Sequence, residues 1–128
     1  MTAQKLLVVE DEFLLAFEME AILSGAGYEV LGPVATVAKA LALISREKPG
    51  AAFLDCNLNG EHTAPVALAL SAEGIPFAVV TGYDIDRLPD AFHNGLFVSK
   101  PFTAVQLLEI ARQLLTLRQT KPAAHPEL

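Results

Sequence analysis

Four apolar runs in this chain each end on a residue able to handle a phosphoryl group or a metal ion. Glu10 and Asp11 follow Leu6 to Val9, Asp55 follows Ala51 to Leu54, Thr81 follows Phe77 to Val80, and Lys100 follows Leu96 to Ser99. If the runs are parallel strands, their carboxyl ends lie along one sheet edge, and residues distant in sequence meet in one crevice. Two or three carboxylates, a hydroxyl and an ammonium would then share a site. Carboxylates held together raise at least one pKa unless a cation sits among them. Mg²⁺ prefers oxygen ligands and keeps several waters, so this acid set with a backbone carbonyl makes an open site for it. Lys100 and Thr81 suit the oxygens of a phosphoryl group in transfer, a reaction governed by positioning and electrostatics. Asp55 stands alone at its strand end and is the candidate nucleophile, since carboxylates form aspartyl-phosphates.

Each residue also has a plainer reading. Acidic residues just before a helix serve as N-caps or dipole partners, which alone would account for Glu10, Asp11 and Glu12. Asp55 could simply open a turn. Thr81-Gly82 is an ordinary strand exit, and a single Lys is usually solvated. The four together, each at its own strand end, carry the chemical reading.

The elements that must position them follow from periodicity. Strands are expected at Leu6 to Val9, Tyr28 to Leu31, Ala51 to Leu54, Phe77 to Val80 and Leu96 to Ser99. Glu12 to Ser24 has Leu14, Phe17, Ala21 and Ile22 at helical spacing and ends at Gly25 and Gly27. After a loop at Gly32-Pro33, Thr36 caps a helix to about Glu47 with Val37, Ala40, Leu41 and Ile44 on its apolar stripe. Asp55 to Gly60 is rich in loop formers, and a third helix spans Thr63 to Ala72 with Pro65 in its first turn. Tyr83 to Asn94 is interrupted by Pro89 and predicts only a short or irregular fourth helix. Thr103 caps a last helix whose apolar positions are Val105, Leu107, Leu108, Ala111, Leu114 and Leu115. The alternation predicts an α/β fold, a doubly wound five-stranded parallel sheet of flavodoxin-like order 2-1-3-4-5 with its crevice between strands one and three.

Bulk properties agree. The chain has 128 residues, 52% of them apolar and 19% charged, with no Trp, as expected of one sheet covered on both faces. A net charge of −6 argues against a nucleic-acid partner, which would need clustered Lys and Arg. Cys56 is the sole cysteine, so an intramolecular disulfide is excluded. No stretch of about 18 to 20 apolar residues is present to span a membrane, and a cytoplasmic location is expected.

The strand-end set resembles that of response-regulator receiver domains of two-component signalling, over roughly Lys5 to Leu117. The motifs are Glu10-Asp11, Asp55, Thr81 with Gly82, and Lys100-Pro101 with Phe102. The resemblance implies a phosphorelay receiver whose Asp55 takes a phosphoryl group from a histidine kinase or histidine phosphotransfer protein. It implies Mg²⁺ held by Asp11, Asp55 and the backbone carbonyl of Asn57, with Glu10 acting mostly through water. Lys100 would pair first with Asp55 and then with the phosphate, Thr81 would reorient to a phosphoryl oxygen, and Phe97 would follow it as the switch aromatic. A cis Lys100-Pro101 bond is implied too. So is a signalling surface of fourth helix, fifth strand and fifth helix, where an unidentified downstream protein or a second copy would bind.

There are departures from the family. Glu10 stands where an aspartate is common, and Phe97 lacks the hydroxyl of the Tyr often found there. The Val80-Thr81-Gly82-Tyr83 run resembles a receiver subgroup with a Phe-Ala-Thr-Gly-Tyr-like motif. The expectation is a stand-alone receiver over residues 1–120 with a disordered tail at 121–128, catalysing only its own phosphorylation and dephosphorylation rather than acting as an enzyme. The competing readings are a phosphorylation-independent interaction module and an aspartyl-phosphate phosphohydrolase. The latter usually needs a second acid where Asn57 stands.

Overall fold

The apolar runs do assemble into one parallel sheet. A computed structural model describes residues 3–82 and 85–120. Strands β1 (Lys5–Val9), β2 (Glu29–Val34), β3 (Ala51–Asp55), β4 (Phe77–Thr81) and β5 (Leu96–Ser99) run parallel in the order β2-β1-β3-β4-β5. This is the expected doubly wound order. Helices α1 (Phe13–Gly25) and α4 (Ala104–Thr120) cover one face, α2 (Val37–Glu47) and α3 (Ala64–Ala72) the other. Along β3 and β4 alternate residues serve opposite cores. Ala52, Leu54 and Val79 pack towards α2 and α3, whereas Phe53, Ala78 and Val80 pack towards α1 and α4. Every residue of these two strands is buried, which is why they read as unbroken apolar runs. Among the described residues no helix is long and apolar enough to cross a membrane.

Helix starts follow local chemistry. Thr36 Oγ1 accepts a hydrogen bond from the Lys39 N–H at 3.2 Å, satisfying one of the free donors of α2. Thr36→Ala is expected to lower stability by about 1 kcal/mol in urea denaturation. At α4, Thr103 Oγ1 accepts from Gln106 N at 3.1 Å while Gln106 Oε1 accepts from Thr103 N at 2.8 Å, a reciprocal capping box.

Four expectations are corrected and one is met. The fourth helix is, as expected, short and irregular: two 3₁₀ turns, Ile85–Arg87 and Asp90–Asn94, on either side of Pro89. Pro89 cannot donate a helical hydrogen bond, and the segment is held instead by fully buried Phe92. In α1 the buried residues are Ala16, Met19 and Leu23, while Leu14 and Phe17 are 73% and 63% exposed and Ala21 is exposed as well. The helix is apolar on nearly every side, so periodicity could not fix its rotation. Val105, two residues after Thr103 in the first turn of α4, is 77% exposed.

The other two corrections concern loops. Gly32-Pro33 lies within β2, where the register slips from Leu7↔Leu31 to Val9↔Val34. One extra residue makes a bulge. Gly32 has φ +93°, and a Cβ there would lie 2.7 Å from Val34 N and 2.9 Å from Val8 O. The loop after Asp55 is a small hairpin, Asn57–Leu58 against Glu61–His62, turned by Asn59 (φ 52°) and Gly60 (φ 89°). Asn-Gly with both φ positive is the preferred two-residue hairpin turn, a signal present in the sequence. Tyr83 and the tail 121–128 lie outside the described residues.

Candidate functional site

The bulge and the hairpin both bear on the strand edge. Because β2 runs on to Val34, the Val34 carbonyl accepts from Glu10 N at 3.0 Å and fixes the backbone where β1 ends. The Glu10 side chain, in a residue only 3% exposed, turns inward, with Oε2 accepting from Glu12 N at 3.1 Å. One ligand atom from each of Glu10, Asp11 and Asp55 falls within 4.8 Å of the others. The structure thus brings together the three acids expected to meet.

Lys100 reaches the same point from β5. Its Nζ lies 3.0 Å from Asp55 Oδ2 and 3.8 Å from Glu10 Oε1, and its N–H donates to the Thr81 carbonyl at 3.0 Å. The Lys100-Pro101 bond is cis. Burial works to lower the Lys100 pKa, but the Asp55 hydrogen bond and the Glu10 and Asp55 charges outweigh it and raise the value. Glu10 is pushed up to about 7, first by burial, with Asp55 and Asp11 adding repulsion and the Glu12 N–H and Lys100 opposing. Among the described residues its Oε1 is buried without a hydrogen-bond partner. A buried oxygen of this kind, beside two other carboxylates, suits a hard divalent cation that accepts oxygen ligands. The donor set therefore fits Mg²⁺.

Asn57 begins the hairpin, and its N–H points to Asp55 Oδ1 at 3.4 Å. Its side chain closes the turn by accepting from Gly60 N at 2.7 Å. Thr81 is buried at the end of β4, and half-buried Phe97 sits in β5 with its ring edge-on to His93 at 6.2 Å.

Two neighbours of Asp55 escaped the sequence reading. Thr63 Oγ1, fully buried, donates to the Asp55 carbonyl at 2.6 Å, and Cys56 Sγ lies 3.6 Å from Thr81 Oγ1. Thr63 had registered only as the start of a helix and Cys56 only as an unpaired thiol, because both contacts depend on the fold. Thr63→Val removes the donor and leaves a buried carbonyl poorer by one bond; a loss of about 1 to 2 kcal/mol is expected in thermal or urea unfolding. The hairpin is also tied at its far strand, where Glu61 Oε1 accepts from Val37 N at 3.3 Å.

No protein-family model matches the chain. Individual relatives do. The phyllosphere-induced regulator PhyR of Methylorubrum extorquens is 28% identical over 127 residues, covering 92% of this chain and 46% of PhyR. The sensory transduction protein LytT of Bacillus anthracis is also 28% identical, over 121 residues, so the chain spans about half the length of the curated relatives it matches. Among solved structures, the receiver domain of NtrX from Brucella abortus superposes with a TM-score of 0.77 at 28% identity, covering 87% of this chain and 98% of that one. A CheY-like receiver domain protein of Methanospirillum hungatei gives 0.81 at 25% identity, covering 94% and 100%. Both likenesses cover most of this chain, and by fold and sequence together it is similar to the receiver domains of response regulators.

Proposed function

We propose that the chain is the phosphoacceptor of a two-component phosphorelay, acting as a switch rather than as an enzyme on other substrates. The observation that carries this is the strand-edge geometry: Asp55 with Lys100 Nζ at 3.0 Å, inside a cluster of three carboxylates. An Asp55 carboxylate oxygen attacks phosphorus as the phosphorus–nitrogen bond of a phosphohistidine breaks, and the imidazole leaves. The phosphodonor is thus a histidine kinase or histidine phosphotransfer protein. Lys100 holds the nucleophile in place and then offsets the charge of the new phosphoryl group. Thr81 supplies a hydroxyl to a phosphoryl oxygen, and Phe97 follows its movement. Glu10, Asp11, Asp55 and the Asn57 carbonyl would hold Mg²⁺, which when bound offsets the negative charge of acids and phosphoryl group alike. The receiver domain of the sensor histidine kinase PA1611 of Pseudomonas aeruginosa, of the same fold with a TM-score of 0.78, carries Mg²⁺ in its active-site cleft.

The output face is formed by the two 3₁₀ turns, β5 and α4. A groove of about 460 Å³ there is lined by Phe97, Pro101, Val105 and Ile110 among others, and a downstream protein or a second copy would read the switch at this face. The test is direct. Acetyl phosphate with Mg²⁺ should leave one acid-stable, base-labile acyl phosphate per chain by intact mass, and beryllofluoride with Mg²⁺ should shift the amide resonances around Thr81 and Lys100. A chain that takes up neither ligand refutes the reading.

A further inference from the structure

Successive side chains of a strand point to opposite faces of the sheet. Asp55 and Val80 are register partners, and Val80 packs on the side of α1 and α4. Cys56 is one residue further on and packs on the other side, with Leu54 and Val79 beneath α2 and α3. Thr81, one beyond Val80, brings its hydroxyl to that same side, 3.6 Å from the Cys56 thiol, with both residues buried. The geometry points to Cys56 as a positioning residue whose thiol holds the Thr81 hydroxyl on the α2 and α3 side, and so sets how readily Thr81 turns to a phosphoryl group on Asp55.

This inference rests on the phosphoacceptor reading and adds to it a restraint on the resting state. A thiol is a weak hydrogen-bonding group, so the hold is loose. A hydroxyl at position 56 would bond Thr81 more tightly, and a methyl group would not bond it at all. A cavity of about 220 Å³ lined by Cys56, Asn57, Leu88 and Phe92 among others lies alongside, so neither replacement crowds its surroundings.

The experiment uses the full chain with Cys56→Ser and Cys56→Ala. Methyl scalar couplings report the Thr81 side-chain rotamers in the resting protein, and titration with beryllofluoride and Mg²⁺ reports the ease of switching. Cys56→Ala is expected to shift the Thr81 rotamer populations away from the Cys56 side and to lower half-saturation about threefold, the scale of one weak contact. Cys56→Ser should fix the rotamer and raise half-saturation by a similar factor. In a Thr81→Ala background the two replacements should no longer differ. Unchanged Thr81 couplings in both variants, or half-saturation moving the same way in both, overturns the inference. A wild-type chain that ignores beryllofluoride while its Thr81 couplings respond to position 56 overturns the phosphoacceptor reading and upholds the restraint.

Discussion

Asp55→Asn is expected to reduce phosphoryl uptake from acetyl phosphate to background, a loss on the order of 10³-fold or more, because an amide oxygen cannot form the acyl phosphate. The replacement keeps the shape of the side chain, and its oxygen still accepts from Lys100. The fold should survive, with an unchanged circular dichroism spectrum. Removing one of three clustered charges also relieves repulsion, since Asp55 helps to hold the Glu10 pKa up. In the absence of divalent cations the variant should therefore melt at the same temperature as the wild type or higher. A variant that still gains the mass of a phosphoryl group would move the nucleophile elsewhere.

Glu10→Gln is expected to abolish a pH dependence of stability. The Glu10 carboxyl has an ordinary value of 4.5 and sits near 7 in the folded chain. Between these values the folded state retains a proton that the unfolded chain has released. Its contribution is therefore fully present below about pH 4.5 and is lost as pH rises through about 7. The loss amounts to about 3 kcal/mol by linkage. Gln is neutral at every pH, so urea unfolding of the variant in EDTA should show no such decline from pH 5 to pH 8. At pH 8 it should be the more stable protein. Mg²⁺ should restore the wild type at high pH, by about 2.7 kcal/mol at a hundredfold excess over its dissociation constant, and the variant less. Equal slopes for the two proteins would mean that Glu10 is not the titrating group.

The strand order and the convergence of Glu10, Asp11, Asp55 and Lys100 were legible because each lies at the end of an apolar run, and parallel strands share one carboxyl edge. Local signals also gave the caps at Thr36 and Thr103. The rotation of α1 was not legible. Phe13, Leu14, Leu15, Phe17, Ile22 and Leu23 surround the helix with apolar surface, and packing alone decides that Met19 and Leu23 turn inward. Thr63 and Cys56 were missed for a related reason. A hydroxyl or thiol has no periodic signature, and its partner is chosen across β3 and β4. The Asn59-Gly60 turn was legible in principle, but its two-residue strands are too short to show alternation.

The bulge in β2 has a consequence for how the protein behaves at high concentration. Among the described residues β2 and β5 are the two outer strands, each paired on one side only. A regular outer strand offers a row of open amides on which another chain can add its own strand, a route to aggregation. In β2 that row is broken by the register slip, and Pro33 contributes no N–H to it. β5 is only four residues long and is followed after Lys100 by Pro101. The same irregularity that seats Glu10 therefore blunts one margin of the sheet, and a proline stops the other, leaving two copies to associate through side-chain surfaces rather than through a continued sheet.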